Sequence, residues 1–373
     1  MATKTVDYRR DQCFGYLEES TEEGYGMSHS ADGDIILVIG NGFDLFHGKK
    51  TKYSDFLEFI KNIKDKSIVI NVNSKYSIED NALLNYFLNR FIDAKHKDNW
   101  IDMERDLKDY VRNVISFIDE ENEANKDKLR HPFTYRSSNI SLLHRRLIEN
   151  MDSFFTSNGS GKRVKNEYID YFGFINKEKV LNRIESELND VCGYLLFYLK
   201  EYEPANRNSV VKKHQLFLEM NPVSVVSFNY TKTYNEIYGL DDSKIAFVHG
   251  TINDKNIVLG YNDEDSNMDD ITFKKYYKRM LYGTGMYSIP IKTDDYGGYI
   301  TPIVCFFGHS LDVSDEDIIK DLVKNRKIRV YYRVDSNEKA ERLMNLIKIM
   351  GKEYVEKGIS DQSIIFIPIE TDI

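Results

Sequence analysis

The chain has 373 residues, 41% hydrophobic and 13% aromatic, a composition that excludes a disordered protein and suits one large or two interleaved domains. Its net charge of −9, with acidic and basic residues interleaved, argues against a broad basic surface for nucleic acid. Cys13, Cys192 and Cys305 are too scattered for a cysteine zinc knuckle and suit a reducing cytosol. No apolar run approaches the roughly 20 residues that span a bilayer, and the N-terminus has no signal-peptide core, so a cytoplasmic protein without membrane or nucleic-acid partners is expected.

Residues 1–33 are polar and glycine-rich toward their end, and read as a flexible N-terminal extension. Ile36–Ile39 then form an apolar run that meets Gly40-Asn41-Gly42, with a helix close behind, as a buried parallel strand meets a glycine turn. Glycines there let a backbone approach a phosphate, whereas the bland reading is a tight turn that binds nothing. Tyr53–Ile63 is helical, and Ile68–Val72 is strand or loop.

From 79 to 220 helical periodicity dominates, with Trp100, Met103, Leu107, Val111, Val114 and Ile118 on one face and Leu181, Ile184, Leu188, Val191 and Leu195 on another. Polar loops are expected at Glu120–Lys128 and Ser157–Arg163. This block is read as a helical insertion over the end of a sheet, between sheet-forming segments 34–78 and 221–373.

Strands follow at Val223–Phe228, Ile245–Val248, Ile303–Phe307, Ile328–Arg333 and Ile364–Ile367, with a further candidate at Ile257–Tyr261. Helices fall at Ile271–Tyr282, from Ser314 or Asp315 as cap to Lys324, and at Glu338–Met350. Almost wholly apolar strands alternating with helices predict an α/β fold whose parallel sheet is covered on both faces.

Four strands end in short polar signatures: GNGFD at 40–44, FNYT at 228–231, HG at 249–250 and GHSL at 308–311. A parallel sheet brings all its carboxyl ends to one edge, so these four share one crevice. Each has a dull reading alone: Asn229 or Thr231 as a helix cap, His249 as a core histidine, Gly308 as a turn, Ser310 as a local hydrogen-bonder. His309 is expected to point outward or sideways beside a ligand. Glu104 reads as a structural contact before a group aimed at the crevice, and the Lys274-Lys275 and Lys278-Arg279 stretch as a solvated helix face before a nucleic-acid or partner contact. Asp241-Asp242 and Asp263-Glu264-Asp265 read as solvated turns before a magnesium site, for which there is no motif.

The series GNGFDLFHG, WIDMERDL, SFNYTKTYNEIYG, VHGTINDKNIVLGYND and FFGHSLDVSD, spanning about 35 to 325, resembles the AbiH family of bacterial abortive-infection proteins, itself similar to sirtuin-like NAD-binding domains. That resemblance implies a Rossmann-like, mostly parallel sheet with a large α-helical insertion. It assigns the pyrophosphate to Gly40 and Gly42, the nicotinamide ribose to Asn229 and Asp44, the catalytic histidine to His249, and the adenosine side to Gly308, Ser310 and Leu311. Asn41, Phe43, Tyr230, Thr231 and His309 flank these positions and join the binding set. The four zinc-binding cysteines and the GIPDFR segment of sirtuin deacylases are missing, Tyr53-Ser54-Asp55-Phe56 being the nearest wording, which favours simple cleavage of the dinucleotide.

The implied activity is NAD hydrolysis to nicotinamide and ADP-ribose during phage infection, with NAD as substrate, no metal, and His249 as general base beside Asn229 and Asp44. Two rivals are a non-catalytic NAD or nucleotide sensor signalling to a defence partner, and a metal-dependent nuclease. A homo-oligomer or a defence-system partner is compatible with each.

Overall fold

The run Ile36–Ile39 carries no polar residue because neither of its faces meets water; all four side chains are buried. In the computed structural model, which describes residues 34–70, 74–75, 77–93, 100–126, 154–158, 161–207, 213–262, 268–287, 289, 292–293, 299–334 and 336–369, this run lies inside one parallel sheet. The sheet comprises β1 (Ile35–Ile39), β2 (Ser224–Ser227), β3 (Ile245–Phe247), β4 (Ile303–Phe307), β5 (Ile328–Arg333) and β6 (Ile364–Ile369). Its spatial order is β6-β5-β4-β1-β2-β3, and every pairing is parallel.

Alternation divides the strands between two cores. Ile36 and Val38 join Val226, Val304 and Phe306 under α7 (Glu316–Val323) and α8 (Glu338–Met350). Leu37 and Ile39 join Cys305, Phe307 and Val225 under Phe43, Phe217 and Met220. Each such apolar side chain contributes roughly 1.5–3 kcal/mol by leaving water, so a charged residue at Val38 would break the layer. Register aligns the strand ends. Ile39 stands opposite both Ser227 and Phe307, and Ser227 opposite Phe247, so the chain leaves four strands in one row.

A second layer is helical: α2 (Tyr53–Lys64), α3 (Ala82–Asp93), α4 (Trp100–Asn125) and α5 (Lys177–Phe197). The predicted stripes Met103-Leu107-Val111-Val114-Ile118 and Ile184-Leu188-Val191-Leu195 are buried in its core, which also takes in Tyr53, Phe56, Ile257, Leu259 and Phe273. Sheet and helices belong to one compact unit, 33–373.

Several details depart from the sequence reading. Helix α4 runs on through Glu120 to Asn125, and Phe155–Asn158 pairs antiparallel with Gly161–Val164 where a polar loop is expected, while 127–128 and 159–160 lie outside the described residues. Ile257–Tyr261 forms no strand; its single bridge, Tyr261 to Lys274, lies outside the sheet. An unforeseen helix, Lys352–Ser360, follows α8 after Gly351, whose φ of +85 breaks the run. Asp241 caps the turn at Ser243, as a solvated turn should. Residues 1–33, 71–72 and 263–265 lie outside the described residues. No helix among the described residues is long and apolar enough to cross a membrane.

Candidate active site

The row of strand ends brings two glycine-bearing loops together. Gly40 N–H donates to Phe307 O at 3.2 Å and Gly42 N–H to Gly308 O at 2.9 Å. A Cβ on Gly42 would lie 2.6 Å from Gly308 Cα, and one on Gly308 would lie 2.2 Å from Phe43 N. Gly308 also has φ +66, a left-handed conformation that favours glycine. The chain thus requires these glycines for its own loop crossing. The helix that follows, α1 (Asn41–Phe46), is only six residues long. Asn41 at its start has its Oδ1 occupied by the Thr51 hydroxyl at 2.6 Å, while the Thr51 carbonyl accepts the Trp100 indole N–H at 2.8 Å. The Asn41 amide N–H groups are thereby the ones left to meet a ligand.

Asn229 leaves β2 at the centre of the row. Its Nδ2 donates to Gly40 O at 3.0 Å and to Asp44 Oδ1 at 3.2 Å, which uses both amide hydrogens. Its Oδ1 is the atom it keeps for a ligand. Asp44 is fully buried, with Oδ1 on Asn229 and Oδ2 accepting the Thr231 hydroxyl, which also meets Thr233 at 2.8 Å. Burial raises its pKa, with Lys49 opposing. Asp44 therefore acts by fixing Asn229 and Thr231.

His249 follows β3 at a forced bend. Gly250 has φ +75, its Cβ position is filled by Asn256 O at 2.1 Å, and Val258 N–H donates to His249 O at 2.8 Å. The imidazole Nε2 lies 3.0 Å from Asp315 Oδ1, and Asp315 also accepts from Lys275 Nζ at 2.9 Å. Lys275 Nζ in turn lies 2.7 Å from Glu104 Oε1. Burial lowers the His249 pKa, Asp315 pulling the other way, so the ring is neutral at neutral pH. Against the cost of its own burial, Lys275 and His249 hold the Asp315 carboxyl well below the usual range. An ionised Asp315 fixes the Nε2–H tautomer and leaves Nδ1 as the basic nitrogen.

His309 does not point outward. It is buried, its Nδ1 accepts Leu311 N–H at 3.0 Å, its Nε2 approaches Asp315 at 3.9 Å, and its ring packs on Phe228 with centroids 4.1 Å apart. Burial lowers its pKa to about 4.

These groups border one cavity of about 510 Å³, within the range of small-molecule sites. Gly40, Asn41, Gly42, Asp44, Gly308 and Ser310 line it, together with Asn229, Tyr230, Thr231, His249 and His309. Trp100, Glu104 and Leu199 contribute from the helical layer, and Arg333, Glu338 and Arg342 from the end of β5 and from α8. Glu338 accepts from Arg333 at 2.6 Å and from Arg342 at 2.8 Å. Two residues of the expected binding set lie elsewhere: Phe43 packs against Phe217 and Phe307 in the sheet core, and Leu311 is buried under the other face.

The model of the bacteriophage abortive infection AbiH family matches residues 36–333, which hold all four strand ends. The chain belongs to the AbiH family. That membership supports an antiphage abortive-infection role. No curated protein and no solved structure matches this AbiH chain. The residues that sequence reasoning missed in it are Asp315 and Lys275. Asp315 stands at the start of α7 as expected, but Asp312 caps the preceding turn and Asp315 turns to His249. The basic stretch is not a solvated face, since Lys274, Lys275, Lys278 and Arg279 are all buried.

Proposed function

We propose that this AbiH protein is an NAD glycohydrolase, cleaving NAD to nicotinamide and ADP-ribose and so stopping an infected cell. The observation that carries the reading is a buried, neutral His249 backed by the Asp315 carboxylate and bordering the same cavity as a doubly anchored Asn229. The strand order supports a dinucleotide ligand. Numbered along the chain, it reads 6-5-4-1-2-3, the doubly wound order whose switch point lies between the first and fourth strands. Gly40 to Gly42 and Gly308 to Ser310 sit at that point, after β1 and β4.

Hydrolysis breaks the bond between the nicotinamide nitrogen and the ribose anomeric carbon. The bonding electrons cancel the ring's positive charge, so the leaving group needs no proton. Water supplies the new C–O bond and must lose one proton. His249 Nδ1 is suited to take it, with Asp315 stabilising the imidazolium that forms. Asn229 Oδ1 accepts a hydrogen bond from a ribose hydroxyl or from the attacking water. Asp44 positions Asn229. The Asn41 amide offers donors to the phosphate or ribose, held by Thr51.

The cellular test is the NAD level after phage challenge. It should fall in infected cells carrying the wild type and hold in cells carrying His249→Ala. Growth arrest at constant NAD would contradict the reading.

A further inference from the structure

Lys275 is the least accessible cation at the site, 1% exposed, on the first turn of the helix α6 (Lys275–Tyr282). Its ammonium has three hydrogens and meets three oxygens: Glu104 Oε1 at 2.7 Å, Asp315 Oδ1 at 2.9 Å and Ser314 Oγ at 3.3 Å. With every donor committed, it has none left for a substrate. The oxygen it shares with His249 is Asp315 Oδ1.

We propose that Lys275 is a positioning residue: its ammonium holds the Asp315 carboxylate against His249 and, through Glu104, ties that contact to the helical layer. Four separate elements meet in this one contact: the end of β3, the start of α7, α6 and α4. A buried ammonium costs several kcal/mol unless it is paired and fully hydrogen-bonded, which this one is. Against its own burial, Asp315 and Glu104 raise the Lys275 pKa, while burial pushes Glu104 up to about 7. The groups that act on the His249 ring are then Asp315, Lys275 and Arg279, with His309 beside it across Asp315 and Glu104 behind the lysine. Asp315 raises its proton affinity; the two cations lower it. The catalytic consequence rests on reading His249 as the proton acceptor, but the arrangement itself does not.

The test is imidazole NMR of protein labelled with nitrogen-15 histidine, the His249 signal being assigned by its absence in His249→Gln. In the wild type His249 carries the Nε2–H tautomer and titrates below the usual histidine value. Lys275→Met releases Asp315 from the ring, so the Nε2–H tautomer gives way to a mixture of the two tautomers. Lys275→Arg keeps a cation and stays closer to the wild type. Asp315→Asn, which removes the carboxylate itself, moves the titration to lower pH. A lysine with a merely structural role would lower the melting temperature and leave the His249 tautomer in place, so an unchanged Nε2–H tautomer in Lys275→Met overturns the proposal. Should that variant fail to fold, Lys275→Gln carries the same expectation. An Nδ1–H tautomer in the wild type overturns the proposal with no variant at all. None of these readouts needs a substrate. A protein that gives them yet leaves NAD intact fails the glycohydrolase reading and keeps this one. If NAD is cleaved, Lys275→Met lowers kcat with little change in KM, since the lysine has no hydrogen for the substrate.

Discussion

Gly308→Ala tests whether the two glycine loops exist for each other. The added Cβ would lie 2.2 Å from Phe43 N, 2.5 Å from Gly42 C and 2.8 Å from Gly42 Cα, all backbone atoms that cannot swing aside. Overpacking of this kind costs about 1–3 kcal/mol, and the left-handed backbone at φ +66 adds roughly 1–2 kcal/mol for any residue with a Cβ. The sum is about 2–5 kcal/mol. At roughly 2 °C per kcal/mol, the low end of the usual conversion, it lowers the melting temperature by roughly 4–10 °C. Gly239→Ala is the control, because Gly239 has φ +73 with nothing within 4 Å of its Cβ position. It should lose only the conformational part, about 1–2 kcal/mol. The assay is differential scanning calorimetry of both variants beside the wild type. Equal losses would refute the argument from loop contact. A Gly308→Ala protein that melts like the wild type but binds NAD weakly would favour glycines kept for a phosphate.

Thr51→Val removes the hydroxyl that fixes Asn41, and about 1 kcal/mol of lost orientation should weaken NAD binding by about five-fold with the fold intact; unchanged affinity by calorimetry would detach Asn41 from the ligand. His47 is buried between Phe43 O and the Tyr238 hydroxyl, each at 2.8 Å, and burial lowers its pKa from 6.5 to about 4. Its neutral ring is stabilising above about 6.5, and that contribution is lost as pH falls toward about 4, so the stability gap between wild type and His47→Gln should narrow over that window by on the order of 3 kcal/mol. A gap that stays constant in denaturant titrations across these pH values would contradict the assignment.

The sheet is legible because a strand buried on both faces has a distinctive wording. Ile36–Ile39 and Ile303–Phe307 are such runs, and each ends at a glycine. Once the strands are parallel, the meeting of Asn229, His249 and Gly308 comes from register alone. What stays hidden depends on partners distant in the chain. Lys275 looks like one cation among several on a polar helix, and only the approach of Glu104 and Asp315 explains why it is inside. Asp315 has the spacing of a cap, and whether a carboxylate caps its helix or turns to a histidine is set by packing that periodicity does not contain. The glycine turns suggest a phosphate, whereas Gly42 and Gly308 first satisfy each other. His309 is turned inward by the Leu311 N–H two residues on and by the Phe228 ring, the second a partner from another strand end.

The most direct measurement is chromatography of NAD incubated with the purified protein, beside Asn229→Ala and His249→Ala. Nicotinamide and ADP-ribose should accumulate in equal amounts with the wild type, and at a rate lower by on the order of 10²–10⁴ with His249→Ala. Asn229→Ala, which strips the donor from Gly40 O and Asp44, should also lose turnover. Cleavage at the wild-type rate by either variant would contradict the glycohydrolase mechanism.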